Sequence, residues 1–185
     1  VIGGASFSGV SNLKYVYFPK TLETIGEWAF NGTVIEKVVI PDSTYDLRAD
    51  SFAWVKTITE FKLGKGIKVL NRLFTYNADH NCMLNGLKKF ELPHNVIKVE
   101  KNALSALSGI EELYVYNRDV VFEDVNLKAG DTVTVYGATY ASDGVSPSTA
   151  KVLAEANGNK FVAIDDEIKA IEDALNASAE AIKES

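Results

Sequence analysis

The chain has 185 residues, of which 46% are apolar and 24% charged, and a formal net charge of −6; this suits one ordinary domain or one short repeat array. Acidic and basic residues are interspersed without a basic stripe, which argues against a nucleic-acid binder, and no apolar run approaches the roughly 18 residues of a membrane span. The single cysteine, Cys82, excludes an internal disulfide framework and a multi-cysteine zinc site.

The opening, "VIGGASF", shows neither an initiator Met nor the pattern of a signal peptide, as expected of an internal or processed piece. A β-prone run follows at Leu13, Val16, Phe18 and Pro19. The same shape returns at Ile35, Val38, Ile40 and Pro41, then at Ile58, Phe61 and Leu63. It recurs at Leu87, Phe90, Leu92 and Pro93, at Ile110, Leu113 and Val115, and in a weaker copy at Val133 and Val135. The central anchors Val16, Val38, Phe61, Phe90, Leu113 and Val133 lie 22, 23, 29, 23 and 20 residues apart. A second set (Ile2, Ile25, Leu47, Leu70, Val99) keeps the same period, each followed by a pair such as Ala29-Phe30 or Ser51-Phe52. Two independent anchor sets on one period establish an internal repeat of about 23 residues.

One unit cannot fold alone. Its apolar anchors contribute about 1.5–3 kcal/mol each when buried, whereas ordering its backbone costs about 1–2 kcal/mol per residue. Stacking the units joins their cores into one. The small residues Ser6, Ala29, Ser51 and Ala103 leave room for the phenylalanine or leucine that follows, and Pro19, Pro41 and Pro93, lacking an N–H, end the ladder on each strand's C-terminal side. "GKG" at Gly64–Gly66 lacks the context of a phosphate-binding loop and replaces the proline turn.

Alternation along the strand turns Leu13, Val16 and Phe18 inward and Tyr15 and Tyr17 outward. The equivalent outward pairs are Lys37 and Val39, Glu60 and Lys62, Lys89 and Glu91, and Glu112 and Tyr114. Stacked, they form an exposed sheet face with tyrosines near both ends and mixed charge between them, and solenoids commonly bind partners on such faces. An ordinary solvated sheet is the plainer reading of the same residues.

A longer connection near 75–86 contains Asp79, His80 and Cys82. A Cys–His nucleophile or a metal site would use these types, but each needs further groups, and a polar loop bulging from a solenoid needs none. The sequon-like "NGT" at Asn31 and "NAS" at Asn176 have meaning only in a eukaryotic secretory setting.

Beyond Tyr136, Ser146 and Pro147 read as an N-cap and first turn, Gly158 as a helix stop, and Lys160 to Ile164 as a strand. Strand, helix and strand then close the array as a βαβ unit. Ile164, Ile168, Ile171, Leu175 and Ile182 form a helical stripe in the tail, and Asp165, Asp166 and Glu167 suit its N-terminal end. EF-hand spacing is absent there, and fewer than three heptads do not make a coiled coil. Such a helix packs on its own array or leads into another domain.

The pattern L-x-x-V-x-F-P-x-T-L-x-x-I-G-x-x-A-F, spelled by Leu13 to Phe30, resembles the leucine-rich repeat of the BspA-like bacterial surface proteins. The resemblance covers roughly residues 1–164; the third copy departs from it at "LGKG", and the fifth and sixth are eroded. "YG…STAKVLAEANGNKFVAI" is similar to the usual terminal segment of that family. The fold implied is an α/β-class, leucine-rich-repeat-like solenoid with a short parallel β-sheet, an irregular or short-helical convex side, a terminal βαβ cap and a C-terminal helix. The expected division is a repeat array over 1–136, a capping unit over 137–164 and an amphipathic helix or linker over 165–185.

The resemblance implies a non-catalytic, monomeric binding or adhesion module, outside the cell or on a bacterial surface, taking protein or glycan partners without cofactor or metal. Its candidate contact residues are Tyr15, Tyr17, Lys37, Glu60, Lys62, Lys89, Glu91, Glu112 and Tyr114. The alternative is a structural spacer with no ligand of its own. An enzyme would require His80 and Cys82 to meet a convergent acid or base.

Overall fold

A computed structural model of the chain describes residues 1–74, 84–125, 127 and 132–183. Asp79, His80 and Cys82 lie outside the described residues. In chain order the elements are β1 (Thr24–Ile25), β2 (Lys37–Val39), β3 (Asp46–Leu47), β4 (Glu60–Lys62), β5 (Val69–Leu70), β6 (Lys89–Leu92) and β7 (Lys98–Val99). They continue with β8 (Glu112–Val115), β9 (Val121–Phe122), β10 (Thr134–Gly137), α1 (Thr149–Ala156), β11 (Lys160–Ala163) and α2 (Asp165–Lys183).

The strands stack as a parallel solenoid with two ladders, one for each anchor set. The first holds β2–β4 and β6–β8–β10–β11, with registers such as Val38↔Phe61 and Phe90↔Leu113. The second holds β1–β3 and β5–β7–β9, with Ile25 opposite Leu47 and Val99 opposite Phe122. Ile2 extends the second ladder by a parallel bridge to Ile25. Alternation produces the expected burial: Val38 and Phe61 are inside while their strand neighbours are exposed. Among the described residues the irregular side has no helix within the repeats; its two-residue strands are joined by tight turns.

Those turns share a backbone conformation more than a sequence. Ala5, Trp28, Asp50, Asn102 and Asp124 are left-handed, with φ between 44° and 64°. A second left-handed corner follows at Gly9, Gly32 and Trp54. Left-handed backbone costs an L-residue roughly 1–2 kcal/mol, which the stacked neighbours must offset. The "GKG" turn is a second device: a Cβ at Gly64 would lie 2.1 Å from the Pro41 carbonyl oxygen, so only glycine lets that turn sit on the one before it.

One core cluster runs from Leu22 to Ala154. Its spine is aromatic. Phe7, Phe30 and Phe52 stack in sequence with centroids 5.2 Å apart, and Phe52, Phe61 and Phe74 continue edge-on. Side-chain amides bond across turns as well: Asn71 donates to the Leu47 carbonyl, Asn95 to Ile67 and Asn117 to Val96.

At the C-terminal end β10, α1 and β11 form a βαβ unit, with β11 parallel to β10. The helix starts two residues later than its sequence suggests. Ser146 is tied through its N–H and hydroxyl to Asp143, and Ser148, fully buried, caps α1 by accepting from the Lys151 N–H. Gly158, at φ 66°, follows the last turn. Helix α2 docks only by its start: Ile168 is buried, whereas Leu175 and Ile182 are exposed.

Candidate functional site

The first ladder presents its outward side chains as one face, built by the alternation of buried and exposed positions in β2, β4, β6 and β8. Seven of the nine candidate contact residues, Lys37 to Tyr114, lie on these strands, and Tyr15 and Tyr17 lie on the segment before β2. They fall into two clusters, and the ladder is interrupted between β4 and β6.

The N-terminal cluster surrounds a groove of about 910 Å³ lined by Tyr15, Tyr17, Lys37, Val39, Glu60 and Lys62. Tyr15 is 70% and Tyr17 93% exposed. The segment carrying them is the copy that best matches the repeat, yet it forms no strand. Val16 and Phe18 are half-buried against the core, as alternation requires, but the backbone stands off from β2. Lys37 and Glu60 form an exposed pair at 3.1 Å, a contact worth at most about 1 kcal/mol.

In the C-terminal cluster Lys89 bonds Glu91 at 2.7 Å and sits 4.2 Å from the centre of the Tyr114 ring. The carboxylate of Glu91 raises the Lys89 pKa, chiefly through that hydrogen bond. Tyr136 stacks on Tyr114 at 4.3 Å with rings 5° from parallel. Because β6 and β10 flank β8 on opposite sides, both faces of the Tyr114 ring are covered. Partial burial and the nearby Glu112 raise its pKa. Tyr116 donates from its hydroxyl to Glu167, and burial, then the charges of Glu91 and Glu167, push its pKa far above the ordinary value.

Sequence reasoning did not single out Tyr116 and Tyr136. Tyr136 was within reach, since it stands opposite Tyr114 in the register and alternates with the inward Val133 and Val135. Tyr116 follows a strand end, and the docking of α2 supplies the partner of its hydroxyl.

A smaller cleft of about 370 Å³ lies where α2 meets the array, lined by His94, Arg118, Ser142, Glu172 and Leu175 among others. Arg118 forms a two-pronged bond with Glu172 at 2.7 and 3.0 Å, and His94 stands 3.8 Å from the same carboxylate. Its charged groups hold the helix to the array. Among the described residues no group of three or more His, Cys, Asp or Glu side chains is placed to bind a metal, and no helix is long and apolar enough to cross a membrane.

No curated protein matches the chain. Among solved structures, a leucine-rich repeat protein from Bacteroides ovatus ATCC 8483 is 14% identical, over 87% of this chain and 52% of that one, with a TM-score of 0.36. The pneumococcal vaccine antigen PcpA is 15% identical, over 82% of this chain and 42% of that one, with a TM-score of 0.49. The chain thus spans about half the length of these structures or less. The BspA type leucine rich repeat region matches residues 1–111, in six copies. With two stacked ladders on one period and a match over more than half of its length, the chain belongs to the BspA-type leucine-rich repeat family.

Proposed function

We propose that this chain is a non-catalytic recognition array of a bacterial surface or secreted protein, binding a protein partner through the outer face of its first ladder. The observation that carries the reading is the N-terminal groove, where Tyr15 and Tyr17 stand exposed beside Lys37, Val39 and Lys62. Tyrosine combines an apolar ring with a polar tip and suits an interface, and a groove of this size is in the range of ligand clefts, about 300–1,000 Å³. A protein partner is favoured over a glycan because the groove sets the apolar Val39 and the charged Lys37 and Lys62 beside its two tyrosines. The surface location rests on the family, which is typically extracellular.

Fluorescent beads carrying the chain, scored against arrays of surface proteins and glycans, test this. Tyr15→Ala with Tyr17→Ala is expected to abolish capture by protein spots without moving the thermal melt. Unchanged capture, or capture confined to glycans, would refute the reading. If no spot captures the unaltered chain, the array is a spacer that holds other domains apart.

A further inference from the structure

The groove is a local opening between two adjacent turns that are bonded on either side of it. Before it, Gly9 donates to Asn31, and the Leu13 carbonyl accepts from the Val34 N–H at 3.1 Å. After it, the Leu22 carbonyl accepts from Ser43 and Thr44, and Glu23 from the Tyr45 N–H. Between these points no backbone hydrogen bond joins residues 14–19 to β2. The main-chain bonds join residues 21 apart before the groove (Leu13 and Val34) and 22 apart after it (Glu23 and Tyr45), so the pairing shifts by one residue across the opening. The segment packs Val16 and Phe18 on the core but makes no backbone bond to β2, which leaves that edge open.

That edge has bonding capacity to spare. Toward β4, the Ile40 N–H donates to Lys62 and the Glu36 carbonyl accepts from Thr59 and Glu60. The alternation of a strand therefore points the N–H and C=O of Lys37 and Val39 the other way, into the groove. An unpaired edge with an apolar flank is a template for another strand. Val16, Phe18, Ile40 and Leu63 also reach the groove and supply that flank.

Charge indicates what would fit. Lys20, Lys37 and Lys62 line the groove against Asp42 and Glu60. Lys37 is taken up by Glu60, and Asp42 accepts from the Lys65 N–H. Lys20 and Lys62 have no ion-pair partner among the described residues, in a chain whose net charge is −6.

We propose that the open edge of β2 takes an extended acidic segment of a partner protein as an added strand, its alternate apolar side chains facing Val16 and Phe18 and its carboxylates facing Lys20 and Lys62. This rests on the recognition reading above and makes it specific: main-chain bonds supply affinity, and alternate side chains supply selectivity.

The probe is a short capped peptide of alternating valine and glutamate, fluorescein-labelled, titrated into the whole chain and followed by anisotropy. A twin carries N-methyl groups on the amides of one edge. Saturable binding is expected, weakened about thirtyfold by N-methylation, because removing two hydrogen bonds of about 1 kcal/mol each has that effect. Val39→Pro removes an N–H that the β4 pairing does not use and is expected to cause a similar loss; if that variant fails to fold, the methylated twin decides. Lys20→Glu with Lys62→Glu, or added salt, is expected to weaken binding further.

Absence of binding, equal binding of the methylated twin, or indifference to charge reversal would each overturn the added strand. Self-association of the chain that Val39→Pro abolishes, without peptide binding, would overturn it in favour of a second copy. The bead experiment fails separately: tyrosine-dependent capture combined with indifference to N-methylation leaves the recognition reading standing and removes only the strand.

Discussion

Ser51 is a polar residue in a place built for a small apolar one. It is fully buried beside the Phe52 ring, its hydroxyl makes no hydrogen bond, and Ala29 and Ala103 occupy the same place in other turns. A buried hydroxyl without a partner costs about 1–3 kcal/mol, so Ser51→Ala is expected to stabilise the chain by about 1 kcal/mol. The urea midpoint should rise at constant slope; a fall would mean that the hydroxyl is satisfied after all. The small residue before each ring was legible from the repeat, because size at that position follows from ring packing. Tyr114 was legible only by half. Alternation placed it outside, but Lys89 on one face of its ring and Tyr136 on the other follow from neighbouring strands whose register no single copy contains.

Helix α2 is an element divided between two environments. Its first two turns are held by Ile168, by Asp165 accepting from the Thr139 N–H and hydroxyl, and by the Arg118–Glu172 bond; from Asp173 onward it is exposed. Desolvation would raise the Asp165 pKa, but the two Thr139 hydrogen bonds and the charge of Arg118 outweigh it and hold it below the ordinary aspartate value. A carboxylate depressed in the folded state stabilises fully above its unfolded pKa and progressively less as pH falls through the folded one. Acidification below the ordinary carboxylate range is therefore expected to release α2 before the array, seen as faster amide exchange over residues 165–172. Asp165→Ala should show that faster exchange already at neutral pH and lose most of this acid dependence. The tail's stripe fixed the helix and its buried face, but how far along it the docking runs depends on Thr139, Arg118 and Glu172, which meet only in three dimensions. The start of α1 was misplaced for a similar reason: Asp143 competes for Ser146 and leaves Ser148 as the cap.

Across the whole molecule the aromatic spine ties turn to turn. Phe52 contacts the rings of Phe30, Phe61 and Phe74 and is fully buried. Phe52→Ala is expected to cost about 3–5 kcal/mol. Since a solenoid's turns touch only their neighbours, exchange should rise most in β2 to β5 and least in β10–α1–β11; uniform loosening would show one cooperative block instead. Two anchor sets on one period made the stack legible, because burial selects the same letters in every turn. The opening beside β2 was not legible: Leu13 to Phe18 has the best letters in the chain, and pairing depends on a backbone path that those letters do not record. The left-handed corners carry the same lesson further. Asp50, Asn102 and Asp124 are of the type that tolerates this conformation, but Ala5 and Trp28 are not, yet each turns the chain in the same sense. Pitch and curvature are thus written in dihedral angles, while the outward positions of the first ladder do not contribute to them. A scaffold of this kind can change what it displays, strand by strand, without changing its shape, and partner choice can drift independently of fold.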